Sequence, residues 1–335
     1  MQFGPVPLAQ ALGAILAHSV QVGSARLRKG MVLTAADLEN LARLGVAEVT
    51  VARLTGDDVA EDAAAARLAA ALVPDPTGQG LSVTAAFTGR VNLVASGPGL
   101  VELRLAALHV LNRIDTAITL ATLAPLTRVA RGTLVGTVKI IAYAVSGAAL
   151  AQACGLAATA LRVRPVVRQT AGLILTEVPG QDPKLSAKGR RVIEARLKAL
   201  GMRLGTFEVV PHEASAIAAA LARCPDEMLL ILTGSATSDL HDTAPQALRR
   251  AGGIVQRFGM PVDPGNLLFL GALADRPVIG LPGCARSPAL NGADWVLERL
   301  ACGIPITSDD IAGMGVGGLL KETPLRGQPR EVGES

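Results

Sequence analysis

Hydrophobic runs and amphipathic segments alternate regularly in the second half of the chain. Apolar runs predict buried strands, and the segments between them repeat apolar residues at helical spacing. The predicted strands lie at 170–178, 207–211, 227–234, 253–262, 266–273 and 276–283, and the predicted helices at 184–201, 213–224, 243–253 and 287–303. Asp182 and Pro183 indicate the start of the first helix, since Asp caps a helix and Pro suits its first turn. This order predicts an α/β domain over 168–305 with a doubly wound, mostly parallel sheet.

The first half of the chain, 1–167, is predicted to be an α+β region whose opening segment has helical or mixed apolar spacing. Thr34 is a candidate helix cap, Asp37 adds negative charge to the first turn, and Gly45 is predicted to end that helix. One face of this helix carries Leu38, Leu41 and Leu44. A strand over 46–54 and a helix over 57–73 are predicted to follow, and then further strands and short helices. Residues 306–335 are predicted to be a C-terminal extension and tail.

One uncharged stretch, from Ile140 to Leu161, spans roughly 22 residues and is long enough to cross a bilayer. It consists mostly of Ala and Gly, and Ser146 and Gly147 divide it. A strand followed by an Ala-rich helix therefore explains it better than a membrane span. The first twenty residues also lack the basic segment and uninterrupted apolar run of an export signal. We expect a cytoplasmic protein.

The composition excludes several classes of protein and favours one kind of ligand. Hydrophobic residues make up 50% of the chain and charged residues 18%, which excludes disorder for most of it. Aromatic residues amount to 2%, too few for the stacking platforms of a single-strand nucleic-acid binder. A formal net charge of +4 favours small anionic ligands over nucleic acid. Widely spaced cysteines at 154, 224, 284 and 302 predict isolated thiols, and we expect Cys284 to be buried and inert.

Three candidate loops follow predicted strands, over 233–245, 259–266 and 281–288. In a doubly wound sheet, ligands bind outside the carboxyl ends of the strands. The first loop combines a glycine turn with hydroxyls and backbone N–H groups suited to an anion, at Gly234, Ser235, Ala236, Thr237 and Ser238. Asp242, at the predicted start of the next helix, is a helix cap, a metal ligand or a base. A capped loop without any ligand is the alternative.

The second and third loops add five candidates. Two prolines and two glycines make 259–266 a rigid turn that includes Gly265. Asp263 in this turn either hydrogen-bonds a polar ring or caps its own backbone. In the third loop Gly283 allows close backbone approach, and Arg286 and Ser287 at the predicted start of a helix suit a phosphate. An Arg286 that is only a surface charge is the alternative.

Together these loops resemble the molybdopterin-binding domains of the MogA/MoeA-like family of molybdenum-cofactor biosynthesis. The first is similar to the family's Gly-Gly loop, with His241 and Asp242 at its Arg-Asp or Tyr-Asp pair and Pro245 at its proline. The second is similar to a Lys-Pro-Gly-Lys-Pro turn, and the third to a Leu-Pro-Gly-Asn-Pro-x-Ser motif. The resemblance covers about 168–305, and 26–54 resembles the segment that precedes this domain in the MoeA-like branch. The whole chain resembles the N-terminal half of molybdopterin-binding/nucleotidyltransferase fusion proteins.

The resemblance implies a protein that binds molybdopterin or the molybdenum cofactor, with adenylyl or molybdenum transfer as its reactions and Mg²⁺ as a cofactor. It implies that the phosphate lies at 234–238 and near Ser287, that the pterin meets Asp242 and Asp263, and that Asp242 and Glu177 are the catalytic candidates. It further implies a homo-oligomer that hands its ligand to a molybdopterin nucleotidyltransferase or a molybdoenzyme. Neither nucleic acid nor a membrane is an expected partner.

Two departures from the family pattern bear on these expectations. Ser235 and Thr237 stand where the family carries glycines, which narrows the anion cradle. The family's acidic Thr-Gly-Asp-Glu motif is replaced by 176–179, which leaves only the carboxylate of Glu177 to hold Mg²⁺ by way of waters. Two alternatives therefore stay open. One is a non-catalytic binding or scaffold module with a degenerate site, and the other is a CinA-like nucleotide pyrophosphatase.

Overall fold

The computed structural model describes residues 1–23 and 25–321. Ser24 and the predicted tail over 322–335 lie outside the described residues. The chain divides into two compact units. The first comprises Met1–Gly97 and Val101–Arg164, and the second comprises Pro98–Leu100 and the chain from Pro165 onward.

Up to Pro165 the chain forms short strands and four helices within the described residues. The strands are β1 (Gln2–Pro7), β2 (Ile15–Leu16), β3 (Val20–Val22), β4 (Ala25–Leu27), β5 (Glu48–Arg53), β6 (Asp58–Ala60), β7 (Leu81–Val83), β8 (Arg90–Ala95), β9 (Gly99–Leu103), β10 (Ile118–Thr122), β11 (Arg128–Val129), β12 (Leu134–Ile140), β13 (Ala144–Ser146) and β14 (Leu161–Pro165). The helices are α1 (Ala35–Arg43), α2 (Glu61–Leu72), α3 (Leu105–Ile114) and α4 (Gly147–Ala157).

The start of the chain forms a small antiparallel sheet in the order β1-β5-β2. Helix α1 begins where the sequence predicts, because Thr34 and Asp37 form a capping box. Leu41 of the predicted apolar face is fully buried, whereas Leu44, just after the helix, is half exposed. The opening segment, whose apolar spacing is helical or mixed, forms the short strands β1 and β2 with a 3₁₀ turn at Leu8–Gln10 between them.

The rest of the first unit packs around an antiparallel sheet in the order β10-β12-β8-β7. Helix α2 contacts β8 and β12, and buried Leu68, Leu93 and Ile140 share the core beneath it. The uncharged stretch divides as predicted, into the end of β12, then β13 and the 11-residue helix α4. No helix among residues 1–23 and 25–321 combines the length and hydropathy of a membrane span.

The second unit alternates strands and helices, as predicted. Its strands are β15 (Thr170–Glu177), β16 (Arg203–Pro211), β17 (Leu229–Leu232), β18 (Ile254–Phe258), β19 (Phe269–Leu273) and β20 (Arg276–Leu281). Its helices are α5 (Pro183–Ala199), α6 (Ala214–Arg223), α7 (Thr243–Arg250), α8 (Gly292–Ala301) and α9 (Ser308–Gly313). Asp182 caps α5 by accepting the N–H of Lys184, which confirms the predicted start of that helix.

These strands form one sheet in the order β16-β15-β17-β20-β19-β18. Strands β16, β15, β17 and β20 are parallel, and β19 runs antiparallel between β20 and β18. Successive side chains of β17 enter opposite cores: Leu230 packs with α5 and α8, whereas Ile231 packs with α6 and α7. The α/β fold class and the mostly parallel sheet are confirmed.

This topology fixes where the loops emerge. Because β19 is antiparallel to both of its neighbours, β18 points the same way as β17 and β20. The three candidate loops therefore leave the sheet at one edge, which we call the carboxyl edge. The loops after β15 and β16 leave at the same edge.

Candidate functional site

The turn after β17 is packed tightly against the loop after β15. The N–H of Gly234 donates to the hydroxyl of Thr176 at 2.8 Å, and Thr176 is fully buried. A Cβ at Gly234 would lie 2.4 Å from Oε1 of Gln181 and 2.7 Å from the carbonyl oxygen of Thr176. Only glycine fits here without displacing backbone, so the predicted tight turn has a direct steric cause.

Two buried donors at this turn have no partner among the described residues. They are Nε2 of Gln181, in the loop after β15, and Nε of Arg286, in the loop after β20. Strand β17 lies between β15 and β20, so the two side chains reach its turn from neighbouring loops. Arg286 also donates from Nη2 to the carbonyl oxygen of Thr233 at 2.7 Å. Buried donors normally have partners, so these two leave hydrogen-bonding capacity unused beside the turn.

Burial also removes the charged guanidinium of Arg286 from water. Removal from water lowers the pKa of its guanidinium. Among residues 1–23 and 25–321, no carboxylate is bonded to it. A ligand anion beside this side chain would offset that desolvation and occupy the free Nε–H donor.

The predicted anion cradle over 234–238 is only partly available. The N–H of Gly234 is taken by Thr176, and the N–H of Ser238 donates to Oδ2 of Asp242 at 3.0 Å. The N–H groups of the three positions between them, Ser235, Ala236 and Thr237, make no hydrogen bond within the described part of the chain. Backbone N–H groups are therefore available at three of the five positions, and an anion site over 234–238 stays a prediction.

Asp242 caps α7, as one of its predicted roles requires. Its Oδ1 accepts the N–H of Thr243 at 2.6 Å and its Oδ2 accepts the N–H of Ser238. Burial acts to raise the pKa of this carboxyl, but these two hydrogen bonds and the nearby His212 outweigh it and leave the pKa below its usual value. The carboxylate is therefore ionised near neutral pH and holds the loop around 238–243. A catalytic role for Asp242 stays a prediction.

His212 is a residue of this edge that the sequence does not single out. It follows β16, and its Nδ1 lies 2.9 Å from the hydroxyl of Thr176. Its backbone N–H donates to the carbonyl oxygen of Glu177 at 3.0 Å. The link between Thr176 and His212 arises only because β15 and β16 are parallel neighbours in register. Spacing along the chain could not reveal it.

Glu177, the other catalytic candidate, is exposed at the end of β15 and accepts the hydroxyl of Ser186 at 2.6 Å. No group of three or more His, Cys, Asp or Glu side chains that could hold a metal ion occurs in the described part of the chain. Both oxygens of Asp242 accept backbone N–H groups, so Asp242 adds little to a metal site here. The described residues alone do not fit a Mg²⁺ site at this edge.

The loop after β18 packs against the start of α8. A Cβ at Gly265, whose φ is +146°, would lie 2.9 Å from the backbone nitrogen of Gly292. The N–H of Gly292 donates to the carbonyl oxygen of Pro264 at 2.8 Å. The backbone of Asp263 pairs with Gly318 and Leu320, and its carboxylate is exposed with no hydrogen bond from another described residue. Asp263 therefore does not cap its own turn.

The loop after β20 differs from the sequence prediction. Arg286 ends a 3₁₀ turn over Gly283–Arg286, and α8 begins only at Gly292, so the expectation that Arg286 and Ser287 open a helix is wrong. Asn291 and Asp294 form a capping box that fixes this later start. The hydroxyl of Ser287 accepts the N–H of Ala289 at 3.3 Å.

Cys284 in the same loop is exposed, which contradicts the expectation of a buried thiol. Desolvation is nevertheless the largest influence on this thiol and raises its pKa. The raised pKa keeps the sulfur protonated near neutral pH, so the expectation of an inert thiol agrees with its chemistry.

The candidate residues fall into two groups along the carboxyl edge. The first surrounds the turn after β17 and includes Gly234, Asp242 and Arg286, together with Gln181 and His212. The second surrounds the start of α8 and includes Asp263 and Gly265, whereas Gly283 lies in the same turn as Arg286. Strand β18 lies three strand positions from β17, roughly 14 Å at the usual spacing, so the first and second loops can share only an extended ligand.

Comparisons with known proteins give weak likenesses. A domain of unknown function (DUF8806) matches residues 5–53. No curated protein matches the chain. Among solved structures, the molybdopterin biosynthesis MoeA protein of Pyrococcus horikosii is 13% identical, with 90% of this chain and 75% of that one covered and a TM-score of 0.31.

Two other structures are similar at the same level. A molybdenum cofactor biosynthesis protein of Pyrococcus furiosus is 13% identical, with 93% of this chain and 65% of that one covered and a TM-score of 0.25. MogA is 18% identical, with 40% of this chain and 91% of that one covered and a TM-score of 0.27. These TM-scores are too low for the likenesses to carry an argument.

Proposed function

We propose that the second unit binds the phosphate group of a molybdopterin-type pterin at the turn after β17, and that the protein acts in molybdenum-cofactor biosynthesis. The observation that carries the proposal is the pair of buried, unpartnered donors on Gln181 and Arg286 beside this turn. The free N–H groups of Ser235, Ala236 and Thr237 supply further donors. The ordered resemblance of the three loops to molybdopterin-binding domains supports a pterin as the rest of the ligand.

In this proposal the phosphate accepts hydrogen bonds from Arg286 and Gln181, and the pterin extends along the carboxyl edge. The exposed carboxylate of Asp263 is the acceptor for the pterin ring, because it has no hydrogen-bond partner of its own in the described chain. An extended ligand is required, because two strands, β20 and β19, lie between β17, whose turn holds the phosphate, and β18, whose loop carries Asp263.

We propose binding and hand-over as the activity, with a molybdopterin nucleotidyltransferase or a molybdoenzyme as the receiving partner. Transfer chemistry, with Asp242 and Glu177 as the catalytic candidates, is the further step of this proposal: the turn positions the anion, and the guanidinium of Arg286 neutralises its charge. A non-catalytic binding module is the second candidate function. The observation that favours it is that both carboxylate oxygens of Asp242 already accept N–H groups of their own loop.

The proposal is tested by titrating the full-length protein with molybdopterin. Gln181→Glu keeps the shape of the side chain but replaces the free N–H donor with a charged oxygen. Arg286→Lys keeps the charge but removes the unpaired Nε–H. We expect each change to weaken binding by about tenfold or more, the usual value of one charge-assisted hydrogen bond.

Arg250→Gln is the matched control, because Arg250 is an exposed arginine at the end of α7. It should leave the affinity unchanged. Absence of saturable binding, or equal losses in Arg286→Lys and Arg250→Gln, would contradict the proposed site. Binding that depends on Arg286 without any turnover would support the non-catalytic candidate.

A further inference from the structure

A second candidate ligand site lies in the first unit, apart from the carboxyl edge. A cavity of about 410 Å³ opens between three segments of this unit: the turn at 74–79, residues 102–104 at the end of β9, and residues 159–162 at the start of β14. This volume is in the range of small-molecule pockets. All of its lining belongs to the first unit.

Gln79 lies on the buried side of the cavity, and both N–H groups of its amide are already hydrogen-bonded. Gln79 is buried, and its amide nitrogen donates to the carbonyl oxygens of Leu72 and Leu161 at 2.8 Å each. Leu103 is half-buried and Pro74 is exposed, and both line the cavity, so they supply its apolar surface. An apolar ligand body would replace water here without leaving an unpaired donor on Gln79.

The ion pair on one wall is complete. Glu102 accepts Nε and Nη2 of Arg162 at 3.0 and 2.8 Å, and Nε of Arg164 lies 3.1 Å from it. Asp75, on the rim, accepts the N–H of Gly78 at 3.0 Å. These groups therefore have partners inside the protein.

Arg104 differs from these groups. Its Nη1 makes only long hydrogen bonds, 3.4 Å to the carbonyl oxygen of Ala158 and 3.3 Å to the hydroxyl of Thr159. No ion pair with a carboxylate within the described residues neutralises it. Glu102 is engaged by Arg162 and Arg164, so the guanidinium of Arg104 is the cationic group of the cavity lining that is left without a carboxylate partner among the described residues.

Thr159 adds an independent observation. Its φ is +58°, the left-handed conformation in which a helix end normally carries glycine. A β-branched residue in this conformation is strained and persists where its surroundings hold it. Here its hydroxyl lies beside the guanidinium of Arg104 at the cavity wall.

We propose that this cavity binds a small organic anion, with its carboxylate or phosphate on Arg104 and its apolar body against Leu103 and Pro74. A carboxylate and a phosphate each present two oxygen acceptors that a guanidinium can bind at once, so both headgroups fit the chemistry. The site is independent of the phosphate site proposed for the second unit.

The probe for this site is anilinonaphthalene sulfonate, which joins an anionic group to an apolar body and fluoresces when it leaves water. We expect saturable binding to the full-length protein. Arg104→Gln should weaken it by about tenfold, the effect of losing one charge-assisted hydrogen bond. Leu103→Trp should fill the cavity and abolish it.

Arg113→Gln is the matched control, since Arg113 is an exposed arginine at the end of α3, outside the cavity. It should leave the affinity for the probe unchanged. Unsaturable binding, equal effects of Arg104→Gln and Arg113→Gln, or full binding by Leu103→Trp would each overturn the proposal. Benzoate and phenyl phosphate then compete for the site: displacement by either identifies the headgroup, and displacement by neither overturns the proposal.

Discussion

At the scale of single residues, the site depends on close contacts at Gly234. A Cβ there would meet a side-chain oxygen of Gln181 at 2.4 Å and two backbone atoms at 2.7 and 3.2 Å. The backbone atoms belong to the end of β15 and the loop after it, so they cannot move aside without disturbing the parallel pair β15–β17. Gly234 is therefore constrained by its neighbours as well as by its turn.

We predict that Gly234→Ala lowers the free energy of unfolding by about 1–3 kcal/mol, the usual cost of overpacking a filled site. Urea unfolding followed by tryptophan fluorescence measures this change. Gly313→Ala is the control in the same unit, because a Cβ at Gly313 meets no atom within 4 Å. Its effect should stay within about 0.5 kcal/mol. Equal effects of the two substitutions would contradict the steric argument.

Residues whose side chains hydrogen-bond to backbone groups a few positions away were predictable from the sequence. Thr34 with Asp37, and Asp182 before Pro183, mark helix starts through contacts only a few positions away. Gln181 and His212 were not predictable as site residues, because their contacts with the turn after β17 depend on strand order. Nothing in the local sequence distinguishes a glutamine with a free buried donor from an ordinary loop residue.

At the scale of elements, one arginine ties α5 to the loop after β20. Nε of Arg196 lies 2.5 Å from Oδ1 of Asp294. Its Nη1 and Nη2 groups donate to the carbonyl oxygens of Ala285, Ser287 and Ala289 at 2.8–3.0 Å. The side chains of Arg196 and Asp294 are 12% and 9% exposed, so the pair is largely removed from water. This contact holds the segment that carries Arg286.

We predict that Arg196→Met lowers the free energy of unfolding by about 3–5 kcal/mol, because it leaves Asp294 as an uncompensated buried charge. The lost hydrogen bonds to three carbonyl oxygens add to the effect. Arg191→Met is the matched control on the exposed face of the same helix. It should change stability little, as expected for a surface charge. Urea titrations of both variants provide the comparison, and similar midpoints would refute a structural role for Arg196.

The order of elements in the second unit was predictable from the sequence. Buried parallel strands appear there as continuous apolar runs, whereas helices repeat apolar residues every three or four positions. The start of α8 was not. The stretch SPALN has no strong helix breaker after its proline, and the later start depends on the capping box of Asn291 with Asp294. Arg196 was also missed, since its four partners lie about ninety positions further along the chain.

At the scale of the whole molecule, the two units have separate cores. Leu111 is fully buried in the core of the first unit, and Leu230 in one of the cores of the second. The chain has a single tryptophan, Trp295, which packs against the core that contains Leu230. Its fluorescence therefore reports the unfolding of the second unit alone, whereas circular dichroism reports both.

We predict that each of the two units unfolds cooperatively and separately from the other. Leu230→Ala should destabilise the second unit by about 2–5 kcal/mol, the usual cost of a buried Leu→Ala change, and shift the fluorescence midpoint in urea. Leu111→Ala should destabilise the first unit alone. It should therefore shift the circular-dichroism transition of that unit and leave the fluorescence midpoint unchanged. A fluorescence midpoint lowered equally by both substitutions would show that the two cores unfold together. Separate midpoints would allow the phosphate site and the cavity around Arg104 to be destabilised one at a time, and each binding assay could then be assigned to its own unit.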